Sequence, residues 1–484
     1  MLRRTKIVAT LGPASSDADT LERMLSAGVD VVRLNFSHGK AADHIARAEL
    51  VREVGRRIGR TVGIMADLQG PKIRIGKFRD SKITLASGDV FTLDAERDLG
   101  DQDGVGLDYK ELPRDSRPGD VLLLDDGRIV FEVMEVRGQT VRCKVVHGGI
   151  LSNNKGINRK GGGLSAAALT AKDMEDIRTA ASIKSDYLAV SFPVSGADIA
   201  QARQLMRDAG GEAFLIAKIE RAEAVQPQTL ADIMSASDGI MVARGDLAVE
   251  VGDASVPALQ KRMIRMAREM NKVTITATQM MESMISSPIP TRAEVSNVAY
   301  AVLDGTDAVM LSAETASGEY PVDVVEAMAR ICIEAEQTQP VTLDQDFLNR
   351  VFSRVDQSIA MAALFTAYHL KVNAIAALTE SGSTALWMSR LNCGVPIYAL
   401  TSQTATRYRT TLFRDTYPLM VKYVGEDREE LLSEAEKVLV QSGVVKEGDL
   451  IVLTIGEPIG FSGGTNTMKI VRVGEHSKRI PSSA

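Results

Sequence analysis

The sequence predicts an α/β protein: a parallel (β/α)8 TIM barrel with an inserted β-barrel lid domain and a C-terminal α/β domain. Three observations carry this. Short apolar runs, each followed by an amphipathic stretch, recur through residues 1–342, the pattern of parallel strands covered by crossover helices. The rhythm breaks once, after the third run, for alternating segments rich in turn residues. It then restarts beyond residue 342 with strands of its own, and 484 residues suffice for about three domains.

The barrel strands are expected at 6–9, 31–36, 62–66, 187–192, 214–219, 239–242, 273–277 and 308–311, which makes eight. Between them, 17–27, 41–58, 171–181 and 258–271 have the length and apolar spacing of crossover helices. The insertion, 70–164, reads as β structure. Two hairpins are expected there: 82–85 with 90–93 around Ser87-Gly88-Asp89, and 121–124 with 129–133 across Asp125-Asp126-Gly127-Arg128. A domain inserted after a barrel strand lies over the active face, so it is placed to act as a lid. The domains are therefore 1–69 with 165–342, 70–164, and 343–484. In the last, a helix is expected near 356–368 and strands at 373–378, 396–400, 419–423, 450–455 and 468–473, with a frayed tail after Gly474.

A chain 45% hydrophobic and 25% charged is an ordinary globular mixture, which excludes disorder, collagen and coiled coil as the main architecture. The net charge of −6, from interspersed signs, leaves no basic footprint for nucleic acid and favours small ligands. Cys143, Cys332 and Cys393 are far apart and make no CxxC, so neither a disulfide framework nor a thiolate zinc site is expected. A reducing cytoplasm fits. There is no apolar run of about 18 residues, and Met1 to Lys6 lead into a strand rather than a signal peptide, so a soluble chain with no membrane partner is expected.

The chemistry should lie at the carboxyl ends of the barrel strands. Those ends are polar: Arg33, Asn35, Ser37 and His38 after the second strand, Asp67 after the third, Lys218 and Glu220 on the fifth. Arg244, Gly245 and Asp246 follow the sixth, Thr278 and Gln279 the seventh, Ser312 and Glu314 the eighth. Glu220 and Asp246, from adjacent strands, suit one hard divalent cation, since Mg²⁺ takes one or two carboxylates plus substrate oxygens and water. Lys218 shares a strand face with Glu220, which sets an ammonium beside that cation. Arg33 and Lys155 add positive charge. The set suits phosphoryl transfer, which is largely positioning and charge stabilisation. The chain has no G-x-x-x-x-G-K-[ST] loop, kinase-type glycine loop or H-E-x-x-H, so P-loop enzymes, protein kinases and zincins are disfavoured.

Over nearly its whole length the chain resembles pyruvate kinase, in its bacterial form. The resemblance rests first on Ile275-Thr276-Ala277-Thr278-Gln279-Met280-Met281-Glu282-Ser283-Met284, followed by Pro290-Thr291-Arg292-Ala293-Glu294. Beside it stand Arg33-Leu34-Asn35-Phe36-Ser37-His38-Gly39, Asp67-Leu68-Gln69-Gly70-Pro71-Lys72-Ile73-Arg74 and Ala217-Lys218-Ile219-Glu220. Val242-Ala243-Arg244-Gly245-Asp246-Leu247 and Met310-Leu311-Ser312-Ala313-Glu314-Thr315 complete the set. The resemblance implies phosphoryl transfer from phosphoenolpyruvate to ADP, giving ATP and pyruvate, the last step of glycolysis, in an allosteric, cytoplasmic homotetramer. It implies Mg²⁺ or Mn²⁺ on Glu220 and Asp246, Lys218 on the transferring phosphoryl and developing enolate, and Arg33 on the phosphate. Gly245 and Asp246 would offer backbone donors to the substrate carboxylate. Thr278 would orient substrate and a water-based proton relay, since its pKa rules out a lone general-acid role. Arg74 and Lys155 match nucleotide-phosphate contacts, with Pro13 and His38 near the adenosine. For His38 a plain loop-capping role is the alternative, for Ser312 and Glu314 support of the site from behind, and for Met280, Met281 and Met284 core filling.

One departure separates branches of that family. Potassium-requiring members carry threonine after the Asp67 position and glutamate at that of Lys72; here stand Leu68 and Lys72. The chain thus resembles the potassium-independent branch, with Lys72 supplying near Asp67 and the phosphates the charge that K⁺ would bring. Asn35, Ser37, Asp67 and Leu68 mark the monovalent-cation positions. In the third domain Thr379, Glu380, Ser381, Gly382, Ser383 and Thr384 follow a strand and open a helix, a geometry that favours a phosphate, with an ordinary capped helix as the alternative. In the family the matching loop holds an activator's phosphate, near the loop 460–467. A sugar monophosphate is the expected activator, with a bisphosphate and AMP left open. Two alternatives to kinase activity are a Mg²⁺-dependent oxo-acid lyase on the same barrel and a sugar-phosphate sensor that has lost catalysis; neither explains both Arg74 and Lys155 and the intact catalytic positions.

Overall fold

The computed structural model describes residues 2–339, 351–422 and 427–475. Eight parallel strands close a barrel: β1 (Lys6–Thr10), β2 (Val31–Asn35), β3 (Gly63–Asp67), β4 (Tyr187–Val190), β5 (Phe214–Ile219), β6 (Gly239–Ala243), β7 (Val273–Ala277) and β8 (Ala308–Leu311). Each pairs with its sequence neighbours, and β8 closes on β1 with Lys6 opposite Ala308. Every residue of β1, β3, β6 and β7 is buried, as strands covered on both sides require. The covering helices start on side-chain caps: Asp17, Thr170, Ser195 and Thr291 each accept an amide of the first turn.

All eight expected strands are present, with ends moved by a residue or two. β4 stops at Val190, because Phe192 takes φ 55° and the Ser191 hydroxyl turns back to the Leu68 carbonyl at 2.7 Å.

The inserted segment forms a curled six-stranded sheet and two two-stranded ribbons around its own core, in which Phe91 and Phe131 lie 5.5 Å apart. The hairpin of Val121–Leu124 with Ile129–Arg137 is present, with Asp125, Asp126 and Gly127 at positive φ in its turn. The other expected hairpin is absent. Lys82–Leu85 pairs instead with Gly149–Ser152, and Val90–Asp94 with Thr140–His147. The turn between them closes on itself, the Asp89 side chain accepting the Ala86 amide at 2.8 Å. The path from 140 to 152 bends at Gly148-Gly149 and so serves both strands. A Cβ on Gly148 would collide with the Leu85 carbonyl, so only glycine lets the two chains pass.

The C-terminal domain is a five-stranded sheet in the order Thr416–Met420, Ile397–Thr401, Ala374–Leu378, Leu450–Gly456, Thr465–Arg472, the last strand antiparallel. The strand expected at 419–423 lies three residues earlier, and Tyr423 is outside the described residues. Pro418 hid this strand from an apolar-run reading. On a sheet edge its missing N–H costs nothing. The 342/343 boundary and the tail from 476 also lie outside the described residues. Arg390, 2% exposed, fastens this domain to the base of β8: its Nη1 lies 3.0 Å from Asp307 Oδ2, and its Nη2 also bonds that carboxylate. Among the described residues no helix is long and apolar enough to cross a membrane.

Candidate active site

The barrel's carboxyl face and the lid enclose a cleft of about 820 Å³, which Lys72 and Lys160 border on the lid side and Gly245, Asp246, Thr278 and Glu314 on the barrel side. At the carboxyl ends of β2, β3 and β5, the neighbouring strands of the same barrel face, Arg33, Asp67, Lys218 and Glu220 come together. Asp67 is fully buried between Arg33 Nε at 2.5 Å and Lys218 Nζ at 3.2 Å. Lys218 Nζ also pairs with Glu220 Oε1 at 3.0 Å and donates to Ser191 Oγ at 2.6 Å, so one hydrogen bond and two ion pairs surround the ammonium. Arg33 Nη1 donates to Thr10 Oγ1 at 3.1 Å.

Charge decides the protonation here. Burial alone would raise the Asp67 pKa, but Arg33 and Lys218 outweigh it and hold the carboxyl below its ordinary range. Burial likewise disfavours the Lys218 ammonium, yet Asp67 and Glu220 raise its pKa. Glu220 is the exception: burial first, then the charges of Asp246 and Asp67, push it up to about 7 against the pull of Lys218. Its Oε2 accepts the Phe192 amide at 2.9 Å.

Thr278 and Gln279 follow β7 with φ 64° and 52°, left-handed values that cost energy in residues with a side chain and cluster at functional sites. The turn is held by Arg244, which donates to the Thr278 carbonyl at 2.6 Å. Thr278 Oγ1 accepts the Gly245 amide at 2.8 Å and donates to the Ala277 carbonyl at 2.7 Å. The Gly245 N–H, expected to face a substrate carboxylate, is therefore taken by Thr278 here. Glu314 accepts the amides of Ser312 at 2.6 Å and Met281 at 3.3 Å and so ties the ends of β7 and β8 together. Met280, Met281 and Met284 are fully buried in the barrel core.

Other expected residues lie apart from this cluster. Lys72 Nζ stands 3.9 Å from Asp246, whereas the cations against Asp67 are Arg33 and Lys218; the lid's lysine faces the neighbouring carboxylate. Leu68 is buried in the barrel core, and Asn35 accepts the Ser37 amide at 3.1 Å. Arg74 and Lys155 are in the lid, Arg74 donating to the Asn154 carbonyl at 3.1 Å and Lys155 paired with Asp125 at 2.6 Å. Pro13 and His38 are exposed on the loops after β1 and β2; the His38 carbonyl meets the buried His44 ring at 3.0 Å. In the C-terminal domain Thr379, Ser383 and Thr384 line a cavity of about 380 Å³ with Gly460 and Phe461. Thr379 accepts the Gly382 amide at 2.9 Å, Ser381 bonds Ser383 at 3.2 Å, and the buried Thr384 bonds Thr465 at 2.6 Å.

Sequence reading missed Ser191 and Thr10, which anchor Lys218 and Arg33. Both sit at the ends of β4 and β1, where the barrel rule would have pointed had it been applied to those two strands.

The family profile described as "Pyruvate kinase, barrel domain" matches residues 2–325, and "Pyruvate kinase, alpha/beta domain" matches 357–471. The chain is 52% identical over 476 residues to pyruvate kinase II of Salmonella typhimurium, covering 98% of this chain and 99% of that one. It is 52% identical over 461 residues to a pyruvate kinase of Haemophilus influenzae, covering 94% and 96%. With one from Corynebacterium glutamicum it shares 42% over 478 residues, 99% of each. These likenesses favour neither the lyase nor the sensor. Two profiles in series and relatives matched from end to end give one answer: the chain belongs to the pyruvate kinase family.

Proposed function

We propose that the chain transfers the phosphoryl group of phosphoenolpyruvate to ADP, yielding ATP and pyruvate. The observation that carries this is the Lys218 ammonium, held by Ser191, Asp67 and Glu220 at the barrel mouth beneath the lid. A fixed cation there meets charge where it develops, on the transferring phosphoryl and the enolate oxygen, with no reorganisation cost. Arg33, oriented by Asp67 and Thr10, holds the substrate phosphate. Thr278 orients the substrate and a water that delivers the proton to the enolate carbon. Asp246 and the helix start it belongs to receive the substrate carboxylate.

The donor chemistry of Glu220 and Asp246 fits a hard divalent cation. Burial first, and then repulsion from Asp246 and Asp67, lift Glu220 to about 7, and a bound divalent charge would relieve both. Mg²⁺, or Mn²⁺, held by Glu220 and Asp246 would neutralise charge on the phosphoryl and enolate oxygens. Among the described residues no cluster of three or more His, Cys, Asp or Glu competes for it. We further propose that Lys72, beside Asp246, replaces a required K⁺, with Asn35, Ser37, Asp67 and Leu68 as the vestige of that cation's site. Arg74 and Lys155 bind the nucleotide phosphates, with Pro13 and His38 near the adenosine. Thr379, Ser381, Ser383 and Thr384 bind the phosphate of an activator, a sugar monophosphate in the first instance with a bisphosphate or AMP as the alternatives, in a cytoplasmic homotetramer. An apolar core of its own in the barrel, in the lid and on each face of the C-terminal sheet supports the division into barrel, lid (70–164) and C-terminal regulatory domain.

The test is ATP formation from phosphoenolpyruvate and ADP with Mg²⁺ in Na⁺- and K⁺-free buffer, adding ribose 5-phosphate, glucose 6-phosphate, AMP or fructose 1,6-bisphosphate singly. Turnover without K⁺ is expected, and Lys218→Met should lower kcat by about 10²–10³, the usual cost of one charge-stabilising group. Turnover that appears only on adding K⁺ would refute the Lys72 assignment and leave the transfer intact.

A further inference from the structure

The lid rejoins the barrel through residues 157–164, and that return is held by two carboxyl groups the proposed chemistry does not use. Glu250, buried, lies in the last turn of the Arg244–Val251 helix, which also carries Gly245 and Asp246. One of its oxygens accepts the Ala222 amide at 2.8 Å, and the other lies 3.5 Å from Nδ2 of Asn158 in the lid. Its own carbonyl accepts the Gly161 amide at 3.0 Å. Glu223, in the loop after β5, accepts the Gly163 amide through Oε1, while its buried Oε2 has no hydrogen-bond partner among the described residues. Between them Gly162, at φ 81°, crosses so close that a Cβ would collide with the Glu223 carboxyl. Both carboxyls line one narrow cavity at the lid's hinge.

We propose that Glu223 and Glu250 are positioning residues that clamp the returning strand of the lid to the barrel, and that a single proton on Glu250 sets how firmly the lid is held. Two carboxylates facing one desolvated pocket cannot both ionise without cost, and Glu250 also sits at the negative end of its helix. The charged groups around the pair do little to offset this. Arg221, from the same loop as Glu223, gives its guanidinium to the Leu164 and Ala166 carbonyls at 3.1 and 3.4 Å and to the face of Phe192. Lys72, across the cavity from the lid side, stands against Asp246, which lies a turn earlier on Glu250's own helix. Arg262, from the next helix, is bonded to the Val225 carbonyl. Burial, then the Glu223 charge, push Glu250 up from an ordinary 4.5 to about 7, with the Ala222 amide and Arg221 opposing.

The sign follows from linkage. The docked strand holds Glu250 at the raised value, and release into water returns it to the ordinary one. Docking is therefore tightest below about 4.5, weakens as pH rises to about 7, and is level above that. One proton changes the docking equilibrium by at most about tenfold per pH unit.

The three native cysteines are buried, so spin labels on Gln139→Cys, at an exposed lid turn, and Gln201→Cys, on an exposed barrel helix, report the lid's distance from the barrel in the full chain. Without substrates, the open population should grow from pH 5 to 7 and stay constant from 7 to 8. Glu250→Gln should remove that dependence, and Glu223→Gln, which deletes the neighbouring charge, should move it to lower pH. In steady-state assays KM for ADP should follow the open population in the parent chain and lose its slope below pH 7 in Glu250→Gln. The KM readout rests on the proposed phosphoryl transfer and the label distances do not, so the two can fail separately. Thermal unfolding checks that each variant is folded, and Glu223→Gln decides the matter if Glu250→Gln is not. Label distances independent of pH, or a Glu250→Gln chain with the parent's pH profile, would overturn the proposal.

Discussion

At the scale of single residues the site depends on side chains that hold other side chains. Lys218 is useful because Ser191, Asp67 and Glu220 fix its ammonium, and Ser191 does so while also bonding the Leu68 carbonyl. A hydrogen bond to a charged group contributes about 1.5–3 kcal/mol. Ser191→Ala should accordingly lower kcat by about tenfold or more with KM for phosphoenolpyruvate changed less, read from saturation kinetics. Lys218, Glu220, Asp246 and Thr278 were legible because the barrel rule and the family motifs converge on them. Ser191 was not, since a serine after a strand has no chemical signature until its partner is known. Nor was the orientation of Lys72: its number places it near Asp67 along the chain, but the turn through Gly70 and Pro71 carries its ammonium to Asp246.

At the scale of elements, sequence patterns specify a strand better than its partner. The runs at 82–85 and 90–93 with a Ser-Gly-Asp turn between them describe a hairpin, yet each strand pairs with a different part of 140–152. Local pattern favours the nearest partner, and the longer-range pairing prevails because it buries both strands in one core with Phe91, Val141 and Leu151. Gly148 is the position that permits it. Gly148→Ala, whose methyl would meet the Leu85 backbone, should cost the lid about 1–3 kcal/mol, as overpacking does. Hydrogen exchange at the amides that bond Lys82–Leu85 to Gly149–Ser152 should quicken by that amount while the amides of β6 and β7 stay protected. The 121–124 hairpin, by contrast, was legible because its turn residues are those that tolerate positive φ.

At the scale of the whole molecule, the C-terminal domain is joined to the amino end of the barrel by a buried ion pair and by an apolar cluster that sets Leu412 and Phe413 against Val8, Val31 and Tyr187. Asp307, at the foot of β8, takes two guanidinium bonds from Arg390 and the amides of Thr274 at 2.9 Å and Arg414 at 3.0 Å. Removing one partner of such a pair leaves the other charge buried and costs about 3–5 kcal/mol. Arg390→Ala should therefore lower the unfolding midpoint by several degrees in calorimetry, and Arg390→Lys, which keeps the charge but not the fork, should recover only part of it. The strand above Asp307 is followed by Ser312 and Glu314 at the cleft beneath the lid, so the same element meets the third domain at one end and the candidate site at the other. The eight-strand rhythm, the inserted and appended domains and the chemistry of the strand ends were determined by the sequence itself, because period, turn residues and residue type are local properties. The partner of each strand in the lid, the facing of Lys72, the Glu223 and Glu250 clamp and the Arg390 to Asp307 lock were decided only by the tertiary structure. Each joins residues far apart in the chain, and desolvation, which sets their charges and their strength, exists only once the core has closed around them.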